Sequence, residues 1–342
     1  MDAAGAMDQV KQQIEQKNLG SLYLFFGEET FLIETYRSRI LRSLMTEADE
    51  LMNLDELNGP VTAETIINCA ETFPLMVDRR LVIVHDSGLF ATVKSEDEIE
   101  TISSFFARVP SETVLLFIES KVDKRSRVYK ALEANGTAVE FQQLDEDALA
   151  RWIMIEARRR RLRMDKLTAL YLIHIAGTDM HDLEMEMNKV FAYKEGTGVV
   201  VREDIDPIVT ISPETNIFHM MDAIGNQRAQ EAYRIYRNLL KAGENEYYIF
   251  SLVRRQIDML FKTAVYRRDR YDAAAIAKAM SVQPFVARKN LQQASKFSVK
   301  KLKDAMEETL RYDVGIKNGT ITAGRAIELL IARYGSRMGA SG

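Results

Sequence analysis

A chain of 342 residues, 46% hydrophobic and 28% charged, has the make-up of an ordered globular protein and exceeds what one hydrophobic core supports, so two or three domains are expected. A net charge of −4 argues against a protein whose main work is coating nucleic acid, and the single cysteine, Cys69, excludes an intramolecular disulfide and a cysteine-based zinc site. The first residues carry neither a basic nor an apolar leader region and no run of about 18 apolar residues occurs, so the expected setting is cytoplasmic, with no membrane contact.

In chain order, Met7, Val10 and Ile14 space an apolar stripe along a predicted helix over 6–18, which Asn18-Leu19-Gly20 ends. Leu22-Tyr23-Leu24-Phe25-Phe26 is a continuous apolar run of the kind a strand buried on both faces requires. Gly27-Glu28-Glu29-Thr30 then turns into a helical pattern carried by Phe31, Leu32, Tyr36, Ile40, Leu41 and Leu44. This is the strand-turn-helix opening of an α/β nucleotide-binding unit. Leu51-Met52-Asn53-Leu54-Asp55 reads as another short strand, and 63–72 as a helix.

Next comes Thr72-Phe73-Pro74-Leu75-Met76-Val77-Asp78-Arg79-Arg80, followed by the apolar run Leu81-Val82-Ile83-Val84. Proline bars a helix or strand from running through Phe73-Pro74, and Asp78-Arg79-Arg80 is a polar lead-in to a buried strand, so Leu75 and Met76 fall on a turn. Either they tuck under the sheet as a plug, or they form an exposed wedge for a partner's pocket.

Two more apolar runs, Val114 to Ile118 and Ala138 to Phe141, flank a basic helix over 124–132, and strands alternating with helices imply a mainly parallel sheet. Beyond Leu144-Asp145 no convincing strand appears. Asp145 is a helix N-cap ahead of 148–161, and helices over 165–176 and 179–193 complete a small helical domain. Ser212-Pro213 opens a third region with helices over 214–224, 228–241, 246–269, 273–280, 284–294, 298–316 and 321–334. The expected domains are therefore 1–144, 145–211 and 212–335, with a frayed tail over 336–342.

Such an arrangement invites an ATPase, and the phosphate loop decides. Walker A chemistry needs G-x-x-x-x-G-K-[ST], whose amides cradle phosphates while lysine neutralises them. Here Gly27-Glu28-Glu29-Thr30-Phe31-Leu32 offers one glycine, no lysine and two carboxylates that repel a triphosphate. Asp86, after Val82-Ile83-Val84-His85, stands where a Walker B aspartate would, and reads as a relic or a cap. His85, His174, His181 and His219 lack metal-ligand spacing, and His174 in its apolar helix is expected in the core. Glu184, Glu186 and Glu195 form no acid and base pair. No catalytic, cofactor-binding or metal residue is expected.

Basic clusters are the remaining signal. Arg158-Arg159-Arg160-Arg161 suits the last turn of a helix facing solvent, with phosphate-backbone contact as the second reading. Arg254 and Arg255 flank an amphipathic helix, and Lys296, Lys300, Lys301 and Lys303 form another basic face. The four arginines at 158–161, with Arg254 and Arg255, are the DNA-contact candidates.

Several stretches in this order resemble the delta subunit of the bacterial DNA polymerase III clamp loader, of the Gram-positive-like type. They are Leu22 through Leu32, Phe73 through Val84, Gly177-Thr178-Asp179-Met180 with Leu183-Glu184, and Asn216-Ile217-Phe218 with Asp222-Ala223-Ile224. Leu252-Val253-Arg254-Arg255-Gln256, Pro284 through Lys289 with Ala294 through Ser298, and Asp313 through Gly319 complete the set. The resemblance covers nearly the whole chain. It implies an α/β plus all-α fold: a degenerate AAA+ parallel-sheet domain related to P-loop NTPases, a three-helix lid and a C-terminal helical collar. It also implies no bound ATP and no hydrolysis, the polymerase activity belonging to the holoenzyme.

The implied partners are the sliding clamp (the beta subunit), the tau/gamma and delta prime subunits reached through the collar, and primed DNA within the complex. The implied clamp-binding residues are Leu75 and Met76, on a turn set by Phe73 and Pro74; many members place an aromatic where this chain has Met76. Two alternatives stay open on the residues alone: an active AAA+ ATPase with an atypical phosphate loop, and a DNA-binding helical scaffold acting by itself.

Overall fold

The apolar runs of the first 144 residues become five parallel strands in the computed structural model, which describes residues 3–90, 95–194 and 198–336. In chain order this unit runs α1 (Ala3–Glu15), β1 (Leu22–Gly27), α2 (Thr30–Leu44), α3 (Glu47–Asn53), β2 (Leu54–Asn58) and α4 (Ala63–Ala70). It continues through β3 (Arg80–His85), α5 (Glu96–Phe106), β4 (Thr113–Glu119), α6 (Arg127–Asn135) and β5 (Thr137–Phe141). The strand order is β2-β3-β4-β1-β5, and every pairing in this sheet is parallel.

Alternation along each strand explains why the runs are apolar throughout. Leu22, Leu24, Phe26, Val82, Val84, Leu115 and Phe117 pack on one face with α4, α5 and α6. Tyr23, Phe25, Leu81, Ile83, Val114 and Leu116 pack on the other with α1 and α2. With helices on both faces, no strand position in the middle of the sheet meets water.

Three local expectations change. Residues 51–53 are the end of helix α3 rather than strand, because Thr46 N–H donates to the Asp49 carboxylate at 3.0 Å and starts a helix whose first turn is acidic; strand begins only at Leu54. Helix α5, unassigned from sequence, fills the connection from β3 to β4 and is capped by the Ser95 hydroxyl. The basic helix begins at Arg127, and Lys124 lies in the preceding turn, paired to Glu140 at 2.7 Å.

The second unit spans Asp145–Gly342 and contains both segments expected as lid and collar. It begins with α7 (Glu146–Arg159), capped by the Asp145 carboxylate at 2.7 Å, then β6 (Arg163–Met164), α8 (Lys166–Ala176), α9 (Met180–Tyr193), β7 (Val199–Val200) and α10 (Arg202–Ile205). The two-residue strands β6 and β7 pair in parallel, an addition to the all-helical expectation.

From there the chain is helical: α11 (Pro213–Gly225), α12 (Ala229–Lys241), α13 (Glu246–Arg268), α14 (Ala273–Met280), α15 (Pro284–Ala294), α16 (Val299–Lys317) and α17 (Ala323–Gly335). Ile249, Phe250, Val253, Ile257 and Leu260 of α13 form the centre of its core, against Met220, Met221 and Ile224 of α11 and Ile327, Leu330 and Ile331 of α17. His174 is not in a core: it is exposed, its ring 5.9 Å from that of His219, because the buried stripe of α8 runs through Ala169, Leu172, Ile173 and Ala176 instead. The expected frayed tail, apart from Ser336, lies outside the described residues. Among the described residues no helix is long and apolar enough to cross a membrane.

Gly27 closes the end of β1 with φ near +125°, and a β-carbon there would lie 2.2 Å from the Phe141 carbonyl oxygen. Gly27→Ala is therefore expected to destabilise the first unit by about 2–4 kcal/mol, read as a lower urea midpoint by circular dichroism.

Candidate functional site

Helix α4 ends at Ala70, β3 begins at Arg80, and the turn between them projects from the sheet. Helix α4 is followed closely by a side-chain stop, the Thr72 hydroxyl donating to the Asn68 carbonyl at 2.9 Å. Phe73 is 77% exposed, Leu75 56% and Met76 99%. Exposure on that scale rejects the plug, and Phe73 adds a third apolar side chain to the pair singled out from sequence. Met76 also has φ of +61°, a left-handed conformation that a non-glycine residue adopts at a cost of about 1–2 kcal/mol, so the surrounding structure must impose it.

What imposes it is polar. Asn53, at the end of α3 and 1% exposed, accepts from the Leu75 N–H at 2.7 Å and donates to the Leu75 carbonyl at 3.0 Å. Arg80, 4% exposed, donates to the Thr72 carbonyl at 3.2 Å and pairs with the Asp55 carboxylate. Arg79 reaches across the starts of β4 and β1 to the carbonyls of Leu19 (2.6 Å), Gly20 (3.0 Å) and Thr113 (3.1 Å). Burial pushes the Arg79 guanidinium below its usual pKa. Asp78-Arg79-Arg80 is thus more than a polar lead-in, since both arginines hold the turn.

Sequence reasoning missed these roles. A readable signal was present in the arginines, because charges beside a fully buried strand require partners. The role of Asn53 was hidden by reading 51–55 as strand.

At the other end of the strands, in the loop that the sequence set against a phosphate loop, the Glu29 N–H donates to the Phe141 carbonyl at 3.0 Å, so that amide is already engaged. Asp86 accepts from the Ser120 N–H at 2.8 Å and from its hydroxyl at 3.0 Å, which makes it a cap on the exit of β4. Among the described residues no cluster of His, Cys, Asp or Glu has the arrangement of a metal site.

The DNA-contact candidates are divided. Arg159 pairs with Glu156 at 2.5 Å, Arg160 bonds the Asn188 side chain at 2.5 Å and lies over the Phe191 ring, and Arg254 pairs with Asp313 at 3.2 Å. Arg158, Arg161 and Arg255 are exposed. The lysine face is less basic than its sequence, since Lys296 pairs with Asp222 at 2.8 Å and Lys301 donates to the Tyr334 carbonyl at 2.9 Å.

Comparison with known proteins fits this layout. A model of the family described as DNA polymerase III, delta subunit, matches residues 23–142, and one for the C-terminal domain of the DNA polymerase III delta subunit matches residues 214–334. The chain belongs to the DNA polymerase III delta subunit family. The DNA polymerase III subunit delta of Bacillus subtilis (strain 168) is 25% identical over 330 residues, covering 94% of this chain and 95% of that protein. The solved structure of the Bacillus subtilis DNA clamp loader delta protein (YqeN) superposes with a TM-score of 0.75 at 23% identity, over 97% of this chain and 100% of that one.

The fold is accordingly that of the solved delta structure, a five-stranded parallel-sheet unit followed by a helical region. In this delta-family chain the far end of the sheet keeps one buried acid. Glu119, at the end of β4 and 3% exposed, accepts from the Ser87 N–H at 2.9 Å and the Ser87 hydroxyl at 2.5 Å.

Burial pushes the Glu119 pKa up to about 7 from its ordinary 4.5; the Ser87 hydrogen bonds work against the rise and the Asp86 charge adds to it. Because the folded state holds the proton more tightly, the stability it contributes is fully present below about pH 4.5 and is lost as pH rises through about 7. Glu119→Gln should remove this dependence. The melting temperature of the variant relative to the parent is expected to climb between pH 5 and pH 8, by an amount on the order of 3 kcal/mol in stability.

Proposed function

We propose that this delta subunit binds the ring-shaped sliding clamp by inserting Leu75 and Met76 into an apolar pocket, and holds one ring interface open for loading onto primed DNA. The observation that carries this is the turn after α4: three exposed apolar side chains, Phe73, Leu75 and Met76, on a backbone fixed by Asn53 and Arg80. An apolar tip with a rigid base loses little entropy on binding, so its contact area goes into affinity. Phe73 and Pro74 set the approach, and methionine at the tip adapts to the shape of the pocket.

In this reading the subunit binds no ATP and catalyses nothing. Glu28 and Glu29 repel a triphosphate, the Glu29 amide is engaged by Phe141, and Asp86 is engaged by Ser120. The tau/gamma and delta prime subunits supply the neighbours of its helical region, and the exposed Arg158, Arg161 and Arg255 are the residues left to meet DNA inside the assembly.

Burying each of two such apolar side chains is worth about 1.5–3 kcal/mol. Leu75→Ala combined with Met76→Ala is therefore expected to weaken clamp binding by about a hundredfold to ten-thousandfold, measured by surface plasmon resonance on a folded variant. Unchanged affinity would reject the site. Titration of the isolated chain with magnesium ATP in a calorimeter should show no saturable micromolar heat; such heat would favour the ATPase reading instead.

A further inference from the structure

Asn53 is the least expected part of this turn. We infer that it is the positioning residue that presents Leu75 and Met76 in their binding conformation before any partner arrives, an inference that rests on the reading of those two residues as the clamp-binding pair. Three hydrogen bonds use both of its amide protons and its oxygen. One N–H goes to the Asp49 carbonyl at 3.0 Å, the other to the Leu75 carbonyl at 3.0 Å, and its oxygen takes the Leu75 N–H at 2.7 Å.

The Asp49 contact is internal to α3 and orients the amide, leaving one donor and one acceptor aimed at the main chain of a residue 22 positions away. A side-chain amide presents an N–H and a C=O on the same side, as one residue of a neighbouring strand does, so Asn53 stands in for the strand that Leu75 lacks. Aspartate has no donor, leucine has neither group, and glutamine would shift the amide by one methylene.

Position gives these bonds leverage. Asn53 is the last residue of α3 and precedes β2, whose Leu54 lies opposite Leu81 of β3, so its backbone is fixed by the sheet. Arg80 fixes Thr72 on the near side of the turn, and Asn53 fixes Leu75 in the middle. Met76 follows directly, in its left-handed conformation and 99% exposed. Released from Asn53, an exposed non-glycine residue would leave that conformation for the extended or right-handed regions, and the tip would populate its binding form only part of the time. Apparent affinity falls in proportion to that population, and for a conformer that must form before docking the loss appears in the association rate.

The test uses the full chain and the sliding clamp encoded by the same genome. In the parent protein without clamp, hydrogen exchange followed by NMR should show the Leu75 amide protected although its side chain is exposed. Exchange at the rate of an unstructured loop would overturn the inference without any variant. Asn53→Ala, with its folded concentration fixed by circular dichroism, should lose the Leu75 protection and associate with immobilised clamp about tenfold to a hundredfold more slowly, with a dissociation rate within about threefold of the parent. A merely structural role would lower the folded fraction and leave the association rate of folded molecules unchanged, and that result would also overturn the inference. Clamp binding that survives Leu75→Ala with Met76→Ala would instead overturn the underlying site reading, so the two failures are distinct.

Discussion

Strand β3 lies between β2 and β4 with Leu81, Val82, Ile83 and Val84 fully buried, and the exposed turn that leads into it depends on that placement. A central strand of a parallel sheet is held by hydrogen bonds on both edges and by packing on both faces, so a turn that enters it starts from a fixed point. The turn after α4 inherits this rigidity. Phe73, Leu75 and Met76 stay exposed to water while Asn53 and Arg80 hold the backbone that carries them.

Charged and amide groups complete what the apolar strand begins. Arg79 and Arg80 stand where β3 begins and donate to main-chain carbonyls: those of Leu19, Gly20 and Thr113 for one, and of Thr72 for the other. Hydrogen bonds from a charged donor are worth more than neutral ones, and their loss would leave both the cation and the carbonyls unpaired. Asn53 extends the same solution to the tip of the turn. The site is therefore apolar at its surface and polar at its base, which suits a projection that must hold its shape in water and give up its hydration on contact.

The opposite end of the strands is closed by contacts within the chain. The Gly27 backbone lies so close to Phe141 that even a methyl group would collide, the Glu29 amide bonds the Phe141 carbonyl, and Asp86 and Glu119 are bound by Ser120 and Ser87. The polar groups at these strand ends are hydrogen-bonded within the unit. Burial raises the Glu119 pKa, and the hydrogen bonds from the Ser87 amide and hydroxyl offset only part of the rise.

Sequence by itself determined the layers of the fold. Unbroken apolar runs such as Leu22 to Phe26 and Leu81 to Val84 required strands covered on both faces, and 3.6-residue spacing placed the helices from Asp145 onward close to their observed limits. It also put Leu75 and Met76 on a turn, because Pro74 permits little else, but it left open whether they faced inward or outward. Local pattern failed at 51–53, where strand-like residues end a helix, and at His174, whose apolar helix turns that one position toward solvent. Only the tertiary structure brought Asn53 to Leu75, Arg79 to Leu19 and Arg80 to Thr72. Hydrogen bonds between residues far apart in sequence leave no periodic signature, since periodicity records the distribution of apolar surface around one element and carries no record of which distant backbone a buried polar side chain will meet.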